Sequence, residues 1–341
     1  MCTVDIVSLL GINEHCSLPL VLVTRRLPAS ALKKLQSVCE VDLNRDHQGL
    51  SVNLLCERIQ GKLGLLCLVN DVIDRQVIDA APELRVIANV AVGYDNIDVE
   101  YASRRGIVVT NTPDVLTASV AEFTWGLILS IARRITEGDR LIRSNQWTGW
   151  ALDFMLGMEL NGKRLGIIGY GRIGRAVAAS AKAFGMNVVV AASSSSGSKS
   201  ENTLDEEDDN IRWVSFDELL VSSDVVSLHV PMNAKTTNLI DRRALTRMKR
   251  TAFLVNASRG SVVDEDAVIW ALEEKLIAGA ALDVYESEPA VQKKLLSLEN
   301  VVLSPHLGSA TRETRTAMAE LAVSNVIAVL GGEEPLTPVL S

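Results

Sequence analysis

The sequence predicts an α/β fold of two domains, each built on a doubly wound parallel β-sheet. Apolar, β-branched runs of strand length alternate with helical stretches in two series, one within residues 20–113 and one within residues 164–305. A glycine-rich turn opens the second series near the middle of the chain. The chain has 341 residues, which is enough for two domains of ordinary size.

The first series of apolar runs predicts the strands of the first sheet. Its runs are rich in Val, Leu and Ile, and stretches such as residues 72–84 and 95–106 separate neighbouring runs. Strand, helix and strand repeated at this spacing are typical of a parallel sheet that is covered by helices. The strands of this series are expected at residues 20–24, 63–69, 85–90 and 107–113.

The second series predicts a longer sheet. Before it, residues 118–134 are mostly apolar and contain Gly126 as their one Gly or Pro, so we expect a long helix there. Such a helix is expected to be buried between the domains or against a second copy of the chain. The acidic run at residues 204–209 is interpreted as a solvated surface loop. The strands are expected at residues 164–169, 188–192, 224–230, 251–257, 278–284 and 300–305.

The composition of the chain excludes several classes of protein. A formal net charge of -8 argues against a nucleic-acid partner, since phosphate binding needs a basic face. Because no apolar segment approaches the ~20 residues of a membrane span, we expect a cytoplasmic protein without a membrane partner. The odd number of cysteines and their spacing argue against a disulfide framework and against zinc, so no metal site is expected. The cysteines are Cys2, Cys16, Cys39, Cys56 and Cys67.

The glycine-rich turn at the start of the second series predicts a dinucleotide site. Gly169 permits a tight turn, Gly171 lets the backbone approach a pyrophosphate, and Gly174 lets the helix pack closely on the strand. A strand before the motif and an Ala-rich helix after it favour this interpretation over a chance group of glycines. The motif residues are Gly169, Tyr170, Gly171, Arg172, Ile173 and Gly174.

The serine run after the next predicted strand bears on the choice between NADP and NAD. That strand ends at Ala192, where an acidic residue would accept the ribose hydroxyls of NAD. Ala192 cannot do so, whereas Ser193 and Ser194 offer hydroxyl donors and Lys199 offers a nearby positive charge for a 2′-phosphate. We therefore expect NADP, with NAD as the alternative. The other interpretation of the serine run is a flexible surface linker.

Three side chains with acid, base or charged groups follow later strands of the second series. Arg259, Glu288 and His306 come after the runs that end near residues 257, 284 and 305, at the edge where such sheets bind ligands. Reduction of a carbonyl by hydride needs a cation to orient a substrate carboxylate, a proton donor and a partner that keeps the donor protonated. The alternatives are an ordinary salt bridge between Arg259 and Glu288 and a structural histidine, as we interpret His229.

These motifs, together with NVAVGYDNID (89–98), VVTNTP (108–113) and WTGW (147–150), resemble the D-isomer-specific 2-hydroxyacid dehydrogenase family, most closely its glyoxylate/hydroxypyruvate reductases. By motif order the resemblance runs from about residue 20 to about residue 330. It implies a homodimer in which a Rossmann cofactor domain is inserted in a flavodoxin-like substrate domain. The implied bounds are 1–116 with 311–341 for the substrate domain and 117–310 for the cofactor domain.

The resemblance also implies roles for particular residues. Arg259, Glu288 and His306 match the catalytic residues of the family, and the backbone of Val92 and Gly93 matches the part that binds the substrate carboxylate. Arg259 counts among the substrate-binding residues as well. The residues that match the nicotinamide half of the cofactor site are Pro231, Thr236, Ala257, Ser258 and Asp283. Gly308 is also expected to bind the cofactor.

The resemblance implies NAD(P)H-dependent reduction of glyoxylate, hydroxypyruvate or a similar short 2-oxo acid. Formate-specific members have a glutamine where this chain has Glu288, which argues against formate oxidation. One alternative is a D-lactate or D-glycerate dehydrogenase of the same family with a different side-chain pocket. An alternative of another class is a nucleotide-sensing scaffold that resembles the corepressors related to these enzymes.

Overall fold

The computed structural model describes residues 18–46, 48–191 and 211–340. The chain divides into two compact units. Unit 1 comprises Met1–Leu116 and Thr311–Ser341, and unit 2 comprises Thr117–Ala310. Each unit is an α/β domain built on a parallel sheet, so the fold class predicted from the two series of apolar runs is confirmed.

Among the described residues, the sheet of unit 1 consists of β1 (Leu20–Val23), β2 (Glu40–Leu43), β3 (Gly64–Cys67), β4 (Val86–Asn89) and β5 (Val108–Thr110). The strand order is β2-β1-β3-β4-β5, and all neighbouring strands are parallel. This is the flavodoxin-like doubly wound order. All side chains of β3 and β4 are buried, because helices cover both faces of such a sheet.

The helices that connect these strands are α1 (Ala29–Gln36), α2 (Val52–Arg58), α3 (Arg75–Asp79) and α4 (Val99–Arg104). The side chains of Ser51, Asp74 and Asp98 cap the last three helices, because each accepts a backbone N–H of the first turn. The core of unit 1 includes the fully buried side chains of Leu22, Ile59, Leu65, Ile78 and Ile87.

In the described part of unit 2, the sheet consists of β6 (Arg164–Ile168), β7 (Asn187–Ala191), β8 (Ile211–Val214), β9 (Val225–Leu228), β10 (Phe253–Asn256), β11 (Gly279–Leu282) and β12 (Val301–Leu303). Its order is β12-β11-β10-β9-β6-β7-β8, with parallel neighbours throughout. The order is that of a Rossmann domain with one added strand. The sequence order of the strands reverses beside β6, and open α/β sheets bind ligands at the carboxyl ends of the strands at that point.

The described residues of unit 2 form the helices α5 (Thr117–Ala132), α6 (Ile135–Arg143), α7 (Arg172–Ala181), α8 (Phe216–Ser222), α9 (Arg242–Arg247), α10 (Glu265–Glu273) and α11 (Lys293–Ser297). The long apolar helix that the sequence predicts corresponds to α5. Within unit 2 it packs on α7 and on strands of the same sheet. Its burial between the domains or against a second copy stays a prediction. Trp125 stacks on Phe184 with ring centroids 4.4 Å apart and donates its Nε1–H to the Val177 carbonyl oxygen at 3.1 Å.

The chain returns to unit 1 with α12 (Arg312–Leu330), which packs on α1, β3 and β4. The residues after this helix lie along β5, where the N–H of Val339 donates to the Val109 carbonyl oxygen at 2.8 Å. The buried Asn325 holds this last segment by accepting the N–H of Thr337 at 3.0 Å and by donating to its Oγ1 at 2.8 Å. The first sheet is therefore completed by the last part of the chain.

Two strands of the structure, β2 and β8, are not predicted from the sequence. Both lie at an edge of their sheet.

None of the helices within residues 18–46, 48–191 and 211–340 combines the length and the apolar character that a membrane crossing requires.

Candidate active site

The glycine-rich turn joins β6 to α7 at the carboxyl edge of the second sheet. Gly169 has φ +99°, a value that favours glycine, and an added Cβ there would collide with the backbone of His229. A Cβ at Gly174 would collide with the Gly169 carbonyl oxygen. At Gly171, which precedes the first turn of α7, a Cβ would meet no atom within 4 Å. This open approach to a helix N-terminus fits the pyrophosphate of a dinucleotide.

The side chains around the turn are those of Tyr170, Arg172 and Ile173. The ring of Tyr170 meets Trp213 edge-on, with centroids 5.4 Å apart, and the Arg175 guanidinium lies 5.6 Å from the Tyr170 ring. Ile173 is half-buried, whereas Arg172 is exposed on the first turn of α7. Ser193 and Ser194 lie outside the described residues, as does the acidic run at 204–209, so their predicted roles stay predictions.

Exchanging the glycines of this turn should separate nucleotide binding from folding. We expect Gly174→Ala to lower the melting temperature and to abolish nucleotide binding, because its Cβ collides with backbone. We expect Gly171→Ala to leave the melting temperature nearly unchanged and to weaken nucleotide binding, because its methyl group fills only the open approach. Thermal unfolding and fluorescence titration with NADPH and NADH measure both effects. Equal nucleotide affinity in Gly171→Ala and the wild type would contradict this assignment.

The loop after β9 carries two of the residues assigned to the nicotinamide half. The Oγ1 of Thr236 donates to the Pro231 carbonyl oxygen at 2.6 Å and accepts the N–H of Asn233 at 2.9 Å. These bonds close the loop between Pro231 and Thr236. His229, just before this loop, is half-buried, and its Nε2 lies 2.8 Å from Ser227 Oγ. Burial lowers the pKa of His229 to about 4, so the ring is neutral at pH 7, in keeping with a structural role.

The turn after β10 is organised by Asn256, which the sequence analysis does not single out. Its Oδ1 accepts the N–H of Ser258 at 3.0 Å and the Oγ–H of Ser258 at 2.8 Å. Its Nδ2 donates to the Arg259 carbonyl oxygen at 2.8 Å. Asn256 is fully buried, and its hydrogen bonds fix the backbone from Ala257 to Arg259. A polar residue that ends a buried strand is the sequence signal that points to it.

Asp283 fixes the turn that carries His306. This carboxylate follows β11 and is almost completely buried. It accepts the N–H of Leu307 and of Gly308, each at 2.8 Å, and the Oγ–H of Ser304 at 2.7 Å. Burial raises the pKa of Asp283 above its ordinary value, although these hydrogen bonds oppose the rise.

The backbone of His306 is held in an unusual conformation. Its N–H donates to the Asp283 carbonyl oxygen at 2.8 Å, and its φ is 54°, in the left-handed region that non-glycine residues rarely adopt. Such a conformation persists only where the surroundings enforce it, and it is found most often at functional sites. The hydrogen bonds of Asp283 supply that enforcement.

His306 and Glu288 form a hydrogen-bonded pair. The His306 Nδ1 lies 2.9 Å from Glu288 Oε2, and the side chains are 31% and 21% exposed, respectively. Glu288 Oε1 accepts the N–H of Tyr285 at 3.1 Å. Burial acts to raise the pKa of Glu288, but His306, the Tyr285 N–H and the charge of Arg259 outweigh it and hold the pKa of Glu288 below its ordinary value. An ionised Glu288 therefore keeps a proton on Nδ1, and Nε2 is the nitrogen that can face a reactant.

Arg259 lies between β10 and a short 3₁₀ turn, Gly260–Val262. It is half-buried, and its guanidinium donates to the Ser258 carbonyl oxygen at 2.9 Å. The positive charge of Arg259 contributes to the lowered pKa of Glu288. The side-chain hydrogen bond of Glu288 is with His306. Unit 2 thus brings Arg259, Glu288 and His306 to the carboxyl ends of β10, β11 and β12, three neighbouring strands.

Val92 and Gly93 belong to unit 1, in the loop after β4. The Nδ2 of Asn111 donates to the Val92 carbonyl oxygen at 2.8 Å, and the Nδ2 of Asn89 donates to the Gly93 carbonyl oxygen at 2.9 Å. Because the C=O and N–H of a trans peptide point in opposite directions, each bond also orients the next N–H. Asn89 and Asn111, like Asn256, are not singled out by the sequence analysis. The substrate-binding role of Val92 and Gly93 stays a prediction.

In the part of the chain that the structure describes, no group of three or more His, Cys, Asp or Glu side chains is placed to hold a metal ion. The cysteines at 39, 56 and 67 are free thiols. Burial raises the pKa of Cys39 to about 11, so this thiol is protonated at pH 7.

Known proteins are similar to this chain over most of its length. The family model for the D-isomer specific 2-hydroxyacid dehydrogenase, NAD binding domain, matches residues 125–308. A glyoxylate reductase of Korarchaeum cryptofilum is 47% identical over 319 residues, which cover 93% of this chain and 94% of that protein. A glyoxylate reductase of Thermococcus litoralis is 44% identical over 321 residues, covering 93% of this chain and 95% of the other.

Solved structures are similar over the same span. A protein from Thermus thermophilus has a TM-score of 0.86 and 44% identity, and the match covers 94% of this chain and 100% of that one. An NADPH-dependent glyoxylate/hydroxypyruvate reductase from Sinorhizobium meliloti, crystallised with NADP and malonate, has a TM-score of 0.83 and 33% identity. That match covers 95% of this chain and 97% of the other.

Proposed function

This chain belongs to the D-isomer-specific 2-hydroxyacid dehydrogenase family, and we propose that it reduces glyoxylate, hydroxypyruvate or a similar short 2-oxo acid to the 2-hydroxy acid. It is an oxidoreductase that uses a nicotinamide cofactor. The observation that carries the proposal is the 2.9 Å contact between His306 Nδ1 and Glu288 Oε2, in the same unit as the glycine turn and Arg259.

Different residues of unit 2 have different roles in the proposed reaction. The turn at Gly169–Gly174 would hold the pyrophosphate of the cofactor, and a bound nicotinamide would supply the hydride. Arg259 orients the carboxylate of the oxo acid with its planar guanidinium. His306 donates the proton from Nε2 to the carbonyl oxygen, while Glu288 holds the ring in place through Nδ1.

Removal of the Glu288 charge should change the pH dependence of the reduction. We expect Glu288→Gln to lose activity first on the alkaline side, with the alkaline limb of the kcat/KM profile moved down by about one pH unit or more. The sign follows because the hydrogen bond to His306 helps to hold the pKa of Glu288 below its ordinary value, so the negative charge of Glu288 stabilises the proton at this contact and the variant lacks that charge. Steady-state rates between pH 5 and pH 10 measure the shift. A profile that coincides with the wild type would exclude the pairing as part of the mechanism.

The substrate is tested by comparing glyoxylate, hydroxypyruvate, pyruvate and phenylpyruvate with NADPH and NADH in turn. Highest kcat/KM on glyoxylate or hydroxypyruvate supports the proposal. Highest kcat/KM on pyruvate favours the D-lactate dehydrogenase alternative. Nucleotide binding without turnover of any oxo acid favours the nucleotide-sensing scaffold and contradicts the proposed reaction.

NADP is the proposed cofactor in preference to NAD. The support is the absence of an acidic residue at Ala192, the hydroxyls of Ser193 and Ser194, and the NADP bound to the Sinorhizobium meliloti reductase. We expect Ala192→Asp to lower the NADPH-to-NADH ratio of kcat/KM about tenfold or more, because a carboxylate repels the 2′-phosphate. Ser193→Arg should raise the ratio. If neither variant changes it, the serine run is a surface loop.

A homodimer is the proposed assembly, and a segment of unit 2 supports it. Residues 135–156, which include the WTGW motif, expose large apolar side chains to solvent. Trp150 is 78% exposed and Leu152 is 83% exposed, whereas a monomer rarely leaves a continuous apolar patch uncovered. A second copy of the chain is the proposed cover. Sedimentation should give twice the 36.9 kDa chain mass for the wild type and less for Trp150→Glu with Leu152→Glu. A monomeric wild type would contradict the proposed homodimer.

The predicted cytoplasmic location of the protein stays a prediction.

A further inference from the structure

We infer that Glu265 is a positioning residue for the reaction, because it holds the loop that places Glu288 against His306. This inference rests on the proposed function for its kinetic consequences. Its structural basis is a set of contacts within unit 2 that the catalytic assignment leaves unexplained. Glu265 is a buried carboxylate on the first turn of α10, and only 5% of it is exposed.

The loop in question, residues 284–289, follows β11 and carries Glu288 near its end. Its position depends on the peptide that joins Tyr285 to Glu286. The N–H of this peptide, on Glu286, donates to Glu265 Oε1 at 2.6 Å. The next N–H toward the chain start, on Tyr285, donates to Glu288 itself at 3.1 Å. The loop is therefore held by two carboxylates. Glu265 lies outside the loop and accepts the Glu286 N–H, whereas Glu288 belongs to the loop and accepts the Tyr285 N–H.

The same peptide is in close contact with the segment that carries Arg259. A Cβ added at Gly260 would collide with the Tyr285 carbonyl group and with the Glu286 nitrogen. The backbone just after Arg259 therefore lies directly against the peptide that Glu265 holds. Glu265 follows the same segment, since α10 begins shortly after the 3₁₀ turn Gly260–Val262. A single carboxylate consequently ties the backbone near Arg259 to the loop of Glu288.

Because Glu265 is buried, it is not one of the solvent-exposed acids that are common on the first turn of a helix. A carboxylate taken out of water is costly unless it is hydrogen-bonded, and burial raises the pKa of Glu265 above its ordinary value. The N–H of Glu286 and the side chain of Gln292 are the hydrogen-bonding groups that act on it. Glu265 is buried despite this free-energy cost, and it accepts the N–H of Glu286 in the loop that carries Glu288. Both observations are expected of a residue that positions the loop.

The test compares two substitutions of equal length. Glu265→Gln keeps an oxygen that accepts from the Glu286 N–H, whereas Glu265→Met fills the same space without an acceptor. We expect Glu265→Met to lower kcat about 10- to 100-fold with little change in the KM for the cofactor, and Glu265→Gln to remain within a few-fold of the wild type. The control is Asp266→Met, which removes an exposed acid from the same helical turn and should leave kcat unchanged. Equal losses in the Gln and Met variants would overturn the inference.

A second measurement separates positioning from general damage to the fold. If Glu265 acts through Glu288, Glu265→Met combined with Glu288→Gln should be no slower than Glu288→Gln alone, because coupled residues are not additive. Fully multiplied losses in the double variant would contradict the inference. Melting temperatures establish that each variant is folded before its kinetics are interpreted.

A third measurement does not depend on turnover. The ¹⁵N resonances of the His306 ring show which nitrogen carries the proton in the neutral state, and Glu288 selects Nδ1. We expect the Nε2–H form to appear in Glu265→Met and to remain minor in the wild type and in Glu265→Gln. An unchanged Nδ1–H form in Glu265→Met would overturn the inference even if the chain proved to reduce no oxo acid. Absence of oxo-acid reduction in the wild type would contradict the proposed function alone.

Discussion

His306→Ala should lower the turnover number for oxo-acid reduction by about 10²–10⁴-fold, the usual contribution of general acid catalysis. The dissociation constant for the nicotinamide cofactor should stay within a few-fold of the wild type. The physical reason is that the turn of His306 is held by Asp283 through backbone N–H groups, which survive the substitution, while the proton donor is lost. Stopped-flow rates and fluorescence titration of the folded variant measure the two quantities separately.

The control for His306→Ala is Asp283→Asn, which leaves His306 in place but weakens the hydrogen bonds that hold its turn. That variant should lose melting temperature as well as activity, whereas His306→Ala should lose activity alone. Near-normal turnover in His306→Ala would remove the histidine from the mechanism. It would also leave the left-handed backbone at residue 306 without a functional explanation.

Arg259→Lys should raise the KM for the oxo acid and lower kcat, with a combined loss of about 10–100-fold in kcat/KM. An ammonium supplies the same charge, but it cannot make two parallel hydrogen bonds to a carboxylate. The variant should also discriminate less against aldehydes that lack a carboxylate. Kinetics with glyoxylate and with acetaldehyde under identical conditions measure both effects.

The matched control is Arg243→Lys, the same exchange at an exposed arginine of α9. It should leave both substrates unaffected. If Arg259→Lys also behaves as the wild type does, Arg259 is part of an ordinary charge pair with Glu288 and has no role in substrate binding.

The fold could be predicted from the sequence wherever a strand is buried on both faces. The strands β1, β3, β4 and β6 each fall within a predicted apolar run, because a central strand of a parallel sheet is apolar at nearly every position. The strands β2 (EVDL) and β8 (IRWV) lie at edges and carry charged and exposed residues. Their sequences do not differ from those of loops, so only the neighbouring strand reveals them.

The candidate site could be predicted only in part. Arg259, Glu288 and His306 stand out because each titratable or charged group directly follows an apolar run. Asn256 and Asn111 escape such an analysis because a neutral amide has no unusual charge, and the backbone carbonyl group that each Nδ2 binds leaves no trace in the sequence. Glu265 escapes it for another reason. An acid on the first turn of a helix is usually solvated, and nothing in the sequence reveals that the loop of Glu288 covers it.

The return of the chain to unit 1 has a consequence for protein synthesis. Unit 2 is one uninterrupted segment, Thr117–Ala310, whereas the sheet of unit 1 is covered by α12, which packs on β3 and β4. On the ribosome, β1 to β5 emerge first, but the face that α12 covers stays uncovered until the whole of unit 2 and then α12 have been made. Released chains truncated after Ala310 should therefore resist protease in unit 2 while unit 1 is still digested. During synthesis, chaperones that bind exposed apolar strands should hold the first part of the chain longest.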